Sequence, residues 1–214
     1  MTTIAAPAPE AVAGYGRLRR GDAVAVLRQG AVVWVEGPDA AGFLQGLLSN
    51  DVAALGAGAA CAALLLDAKG HVLVELRVHR DAADAYTLLV EPGAATLLAE
   101  QLDRYHFSED LEILGPEPVA VVTLAGAVPR PRGVVVPGPL PGTVDVVTDD
   151  PGDVIAVAGA AEAPPEALEM ARVAAGVPRV GVDTGPATLV QEVGLEATAV
   201  SFSKGCYLGQ ETVA

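Results

Sequence analysis

Hydrophobic positions change their period several times along this chain, and each change marks an element. From 23 to 36 they alternate loosely around Val24, Val26, Val32, Val33 and Val35, with Gln29-Gly30 between, which predicts a hairpin. Gly37-Pro38-Asp39 then interrupts the pattern. Phe43, Leu44, Leu47 and Leu48 follow at helical spacing, with Asp39 placed to cap the helix and Asn50-Asp51 to end it. Strands are predicted over 61–66 and 72–78, joined by the turn sequence Asp67-Ala68-Lys69-Gly70.

Ala85–Val90 reads as a further strand, and Pro92-Gly93 opens a helix with Leu97, Leu98, Leu102 and Tyr105 on one face. Strands over 112–114 and 119–124 flank Gly115-Pro116, and two more are predicted over Val144–Thr148 and 154–157. Pro164-Pro165-Glu166 starts a helix that ends at Gly176, proline first and glycine last. The stretch 128–142 holds five prolines and three glycines, too many for a regular element, so a surface loop is expected. Strands in pairs, each group followed by a helix, define an α+β class with antiparallel or mixed sheets. The resulting division is a loose Ala/Pro tail over 1–16, an α+β region over 17–116, a second α+β subdomain over 117–176, and a return segment over 177–214. There is no GxGxxG, no phosphate loop and no internal repeat.

Composition narrows the partners. With 51% hydrophobic and 19% charged residues the 214-residue chain is too apolar for disorder and long enough to bury a core. No apolar run reaches the roughly 18 residues of a membrane span, and the N-terminus lacks the basic and apolar regions of an export signal. A net charge of −14 repels phosphate backbones and anionic lipid heads, and the cluster Arg17, Arg19 and Arg20 is too short to reverse that field. Neither nucleic acid nor membrane is an expected partner. Cys61 and Cys206, the two cysteines, form neither a disulfide framework nor a spaced zinc site, and both are expected to be reduced thiols in a cytoplasm.

One octapeptide stands apart: Lys204-Gly205-Cys206-Tyr207-Leu208-Gly209-Gln210-Glu211. Glycine allows unusual backbone angles and close approach, and a lysine two residues from a thiol favours the thiolate. A lone cysteine is most often a small buried hydrophobe, which is the reading for Cys61 among its flanking alanines. Around Cys206 the glycines and hydrogen-bonding side chains argue instead for a site. Glu192, shortly before the motif, reads either as a surface glutamate or as an acceptor of paired hydrogen bonds from an aminopyrimidine or guanidinium group. His71, His79 and His106 lack metal-ligand spacing, and Ser201 and Ser203 lack the context of a nucleophile elbow.

The octapeptide, extended upstream through residues 199–203, resembles the K-G-C-Y-x-G-Q-E signature of the folate-binding YgfZ family, with all seven fixed positions present. That family is related to the T-protein (aminomethyltransferase) of the glycine cleavage system. Residues 35–40, Phe43-Leu44-Gln45-Gly46 and Ser49-Asn50-Asp51 resemble the shared entry motif. Residues 64–73, LLLDAKGHVL, resemble the hairpin after it, and residues 179–195 the approach to the cysteine motif.

The resemblance implies an α+β fold of T-protein type with a folate site in a central hollow, region 17–116 contributing to it. It implies tetrahydrofolate or another reduced folate as cofactor, and a role in assembling or repairing iron–sulfur enzymes, the transient client partners. On matching positions it implies Cys206 as a functional thiol with Lys204 as the catalytic group beside it. Gly205, Tyr207, Gly209, Gln210 and Glu211, with Glu192, become the folate-binding positions. No cluster should be held permanently, because two cysteines cannot supply four thiolates.

Two departures matter. Where aminomethyltransferases carry a catalytic aspartate, this chain reads Leu89-Val90-Glu91-Pro92-Gly93, so one-carbon transfer of the aminomethyltransferase kind is the alternative reading. Such proteins also continue into a C-terminal β-barrel, whereas this sequence stops at Ala214, so a truncated fold lacking the barrel is expected.

Overall fold

A computed structural model describes residues 6–213 and divides the chain into two compact units. One takes residues 29–119, 134–137 and 178–214; the other takes the chain up to Arg28 with 120–133 and 138–177.

In the first unit, the consecutive Leu64, Leu65 and Leu66 are all fully buried. A strand alternates faces, so three neighbouring leucines can all be buried only where both faces are covered. They end β2 (Ala60–Leu66), which pairs antiparallel with β3 (Val72–Ala82). That strand pairs with β4 (Ala85–Val90), and β4 with the latter part of β1 (Val24–Glu36). On one face Val33, Val35, Leu65, Val74, Leu76, Val78 and Leu88 pack against α2 (Ala40–Leu47) and α3 (Ala95–Tyr105). Phe43, Leu44 and Leu47 come from α2, and Leu98 and Leu102 from α3, as the helical spacing predicted, whereas Leu97 of the expected α3 face is exposed. On the other face Leu64, Leu66 and Val72 meet the short helices α6 (Val190–Val193), α7 (Glu196–Ala199) and α8 (Gln210–Val213), together with Tyr207. The return segment is therefore the lid of the second face.

In the other unit, α1 (Pro9–Arg20) crosses α5 (Pro165–Ala174) at Gly14, where a Cβ would lie 2.7 Å from that of Ala163 and 2.8 Å from that of Ala167. The first residues of β1 pair in parallel with β8 (Ala161–Glu162). The latter part of β5 (Glu112–Ala125) pairs antiparallel with β7 (Val144–Thr148). Val122, Leu124 and Val146 form the core there, and beside them Thr123 donates to Asp145 at 2.6 Å while accepting from the Arg28 Nε at 3.0 Å. The Arg28 guanidinium also pairs with the Asp145 carboxylate, so the buried charge is neutralised.

Several elements differ from expectation. β1 is one continuous strand, not a hairpin: its start pairs with β8 and its end with β4, so Gln29-Gly30 never has to turn. β5 likewise runs unbroken through Gly115-Pro116. The proline-rich stretch contains β6 (Val134–Pro137), whose three valines lie between the prolines and whose Pro137 carbonyl accepts from the Arg77 Nε at 3.0 Å. Residues 154–157 are helical, within α4 (Pro151–Ala158). Proline opens that helix and Asp150 Oδ1 accepts from the Asp153 N–H at 3.0 Å, a cap that outweighs the strand propensity of Val154 and Ile155. The expected tail is helical from Pro9, with residues 1–5 outside the described part. Asp39 does not cap α2 through its side chain; its carboxylate accepts from the Asp110 N–H at 2.8 Å.

Candidate functional site

A helix leaves its last carbonyls without partners of its own, and those of α2 are taken by the octapeptide. The Lys204 ammonium donates to the carbonyls of Gln45 at 2.7 Å, Leu48 at 2.6 Å and Asn50 at 2.9 Å. The Leu208 N–H donates to the Gly46 carbonyl at 3.0 Å. The positive charge thus sits at the negative end of the helix dipole. Only 8% of Lys204 is exposed, and its ammonium lies 5.0 Å from the centre of the Tyr207 ring. Burial brings the Lys204 amine down to about 8, against the opposing pull of Asp51 and Cys61.

Two further ties hold the same place. Ser49 Oγ accepts from the Leu64 N–H at 2.8 Å and donates to the Ala199 carbonyl at 2.6 Å, and the Ser201 N–H donates to the Ser49 carbonyl at 3.0 Å. Asn50 donates from its side chain to the Ala62 carbonyl at 2.7 Å. Gln45 holds the turn after the helix: it donates to Asp51 Oδ1 at 2.9 Å and accepts from the Val52 N–H at 3.0 Å. At the far end of the motif Gly209 has φ 77° and packs against the β2–β3 turn, where a side chain would run into the Asp67 carbonyl. Three of the segments that carry the resemblance, 43–51, 64–73 and 199–211, therefore meet, mainly through backbone atoms.

Within this frame the expected site residues divide. Lys204 and Tyr207 are buried, and burial also pushes the Tyr207 hydroxyl up. Gln210 accepts from the Tyr207 N–H at 3.3 Å with its side-chain oxygen, closing the loop on itself. Gly205, Cys206 and Glu211 are exposed. Glu192 is exposed on α6, where its Oε2 accepts from the Leu189 N–H at 2.8 Å. Cys61, half-buried on β2, is the thiol whose ionisation registers the Lys204 ammonium: burial dominates and pushes it up to about 11.

Sequence reasoning missed two features. One is the acceptor cup at the end of α2, which no side-chain pattern could reveal because it is made of carbonyls. The other is Glu196 at the start of α7, whose Oε2 is buried without a hydrogen-bond partner. Its signal was the acidic residue four positions after Glu192. A separate cleft of about 640 Å³ opens in the other unit, lined by Tyr15, Leu18, Arg19, Leu140 and Ala171 among others, and no residue of the octapeptide lines it.

The fold is of the aminomethyltransferase T type, in a form that covers part of that protein's length. The chain superposes with a TM-score of 0.72 on the glycine cleavage system aminomethyltransferase T from Bartonella henselae, at 20% identity, over 93% of this chain and 64% of that one. In sequence it is similar to the tRNA-modifying protein YgfZ of Edwardsiella ictaluri, 27% identical over 208 residues, covering 84% of this chain and 62% of the relative. An uncharacterized protein of Haemophilus influenzae is 28% identical over 201 residues, covering 88% of this chain and 66% of that one. The chain thus spans under two thirds of the length of each of these three proteins. No protein-family model matches it. The YgfZ resemblance carried by the octapeptide and the T-protein type of fold both stand on these likenesses. Among the described residues no helix is long and apolar enough to cross a membrane.

Proposed function

We propose that this chain binds a reduced folate, with tetrahydrofolate the expected form, and serves as an accessory protein in the assembly or repair of iron–sulfur enzymes, with Cys206 as its functional thiol. The observation that carries the reading is the convergence of three of the resembling segments on one another, which leaves Cys206 exposed on a loop that Lys204 and Leu208 hold in place.

The residues present fit a pterin in their donor and acceptor chemistry. An aminopyrimidine edge offers N–H donors, and the buried, unpartnered Oε2 of Glu196 is an acceptor that lacks one. Glu192 and Glu211 add exposed carboxylates from the neighbouring helices. When bound, tetrahydrofolate supplies a one-carbon acceptor. The chain's own part is to present Cys206 in a fixed place while keeping the second thiol, Cys61, protonated and out of the way.

The Edwardsiella relative is named for tRNA modification. A net charge of −14 gives this chain no field for RNA phosphates, so an indirect part, through an iron–sulfur enzyme that acts on tRNA, reconciles the two. One-carbon transfer is the reading that the fold likeness would favour by itself.

Titration of tetrahydrofolate into the protein and its Cys206→Ser variant, with alkylation of Cys206 followed with and without folate, tests the proposal. Saturable binding with protection of Cys206 is expected. Absence of binding, or binding that leaves alkylation unchanged, would overturn the link between thiol and folate. Folate-linked turnover of a methylamine donor that survives Cys206→Ser would select the transferase.

A further inference from the structure

We propose that Lys204 is the positioning residue of the cysteine loop: its ammonium docks the loop onto the C-terminal end of α2 and does not itself activate the Cys206 thiol. The inference rests on the reading of Cys206 as the functional group, and it assigns the neighbouring lysine a different task from the thiolate-promoting one that the sequence suggested.

An ammonium has three N–H donors, and all three are matched here by carbonyls at 2.6 to 2.9 Å. Those acceptors are Gln45 in the last turn of α2, and Leu48 and Asn50 just after its end. They are directional, and they hold the ammonium of a buried lysine on main-chain oxygens, whereas the thiol two residues on is exposed. The groups facing the ammonium are the Asp51 carboxylate after α2, the Cys61 thiol on β2 and the Tyr207 ring on the loop itself. A lysine placed to lower the ionisation of Cys206 would keep its head in the open beside it. This one is clamped.

Docking has a clear reach. Lys204 and the Leu208 N–H grip the helix end on either side of Cys206, so the thiol rides on a short span fixed at both ends. Releasing one end frees the loop without disturbing the β2–β3–β4 pairing, which uses none of these atoms. The loop's hold on the helix is therefore separable from the sheet.

The chain helps the test, because Lys69 and Lys204 are its two lysines. Lys69 is exposed in the β2–β3 turn and serves as an internal reference. Acylation of the native protein followed from pH 7.5 to 10 by peptide mass spectrometry, with each rate divided by the fraction of unprotonated amine that its own pH profile gives, should label Lys69 at least tenfold faster than Lys204; equal corrected rates would overturn the clamp. In Lys204→Met, the Leu208 and Ser201 amides should exchange hydrogen at least tenfold faster. The pH midpoint of Cys206 alkylation by iodoacetamide should stay where it is in the wild type. An upward move of that midpoint with unchanged exchange would make Lys204 an activator of the thiol and sink the proposal. No change in either readout would leave it without a role at the loop, which also rejects the proposal. If Lys204→Met fails to fold, the acylation ratio in the unmodified chain still decides. None of these readouts involves folate, so a chain that binds no tetrahydrofolate but passes them refutes the functional reading and not the docking.

Discussion

Ser49 and Ala199 stand 150 positions apart in the chain and are joined by a hydrogen bond of 2.6 Å from the serine hydroxyl to the alanine carbonyl. The same oxygen accepts from the Leu64 N–H, so one buried hydroxyl ties the end of α2, strand β2 and the approach to the cysteine motif. Ser49→Ala leaves a buried N–H and a buried carbonyl without partners. A loss of about 2 kcal/mol is expected. Urea unfolding should show it as a lower midpoint with an unchanged slope, and a loss under about 0.5 kcal/mol would mean that water replaces the hydroxyl.

The lowered ionisation of Lys204 makes stability depend on pH in a defined direction. The unfolded chain keeps this proton up to its ordinary value of 10.5, whereas the folded chain gives it up at about 8. Between those values the unfolded state binds more protons, so this group makes stability rise with pH. The burial cost of the ammonium is present in full below pH 8 and is relieved above it. Melting temperature measured from pH 7.5 to 10.5 should climb relative to Lys204→Met, and parallel curves would contradict the burial of the charge.

Cys61 acts in the opposite sense. Its folded thiol holds the proton to about 11, against 9.0 for an ordinary thiol. Its contribution is therefore present below pH 9 and is lost as pH rises through 11. Cys61→Ala should remove that alkaline decline. In the wild type at pH 8 only on the order of one Cys61 in a thousand is thiolate, so iodoacetamide should label exposed Cys206 well before Cys61. Comparable labelling of both would place Cys61 nearer the surface than its strand allows.

Gly209→Ala tests the lower anchor of the motif. The φ of 77° alone costs a side-chain residue about 1–2 kcal/mol, and the clash with the Asp67 carbonyl adds to it. The turn at Asp67 holds itself through the Lys69 N–H, at 2.8 Å, and the His71 N–H, at 2.9 Å, both donating to Asp67 Oδ1, so it has little room to yield. The variant is expected to keep its β-sheet circular dichroism and to lose protection of the Gly205–Gly209 amides. Unchanged protection would show that the loop is held from the α2 side alone.

The elements that were legible are those whose pattern is local. Phe43, Leu44 and Leu47 announce α2 by spacing, Ala85–Val90 is a strand by composition, and the 67–70 turn carries its own chemistry. What failed depended on partners far along the chain. Gln29-Gly30 looks like a turn until β4 and β8 are seen to pair with opposite ends of one strand. Val154 and Ile155 look like a strand until Asp150 caps them into a helix. Within the motif, the glycine at 209 was read for the reason the structure shows, an unusual φ and a close backbone approach. The bonds of Lys204 were beyond reach, since all its partners are main-chain oxygens.

That choice of partner has an evolutionary consequence. A lysine that docked on a carboxylate could be disarmed by one substitution on the far side. Here the receptor is the trace of the helix, and residues 45, 48 and 50 can exchange their side chains freely so far as the dock is concerned, provided that α2 still ends where it does. Mutational sensitivity of the dock should be lopsided: severe at the lysine, felt at 45, 48 and 50 only through the Gln45 and Asn50 side-chain bonds and the packing of Leu48, and severe again for changes, such as a proline within α2, that move the helix end itself.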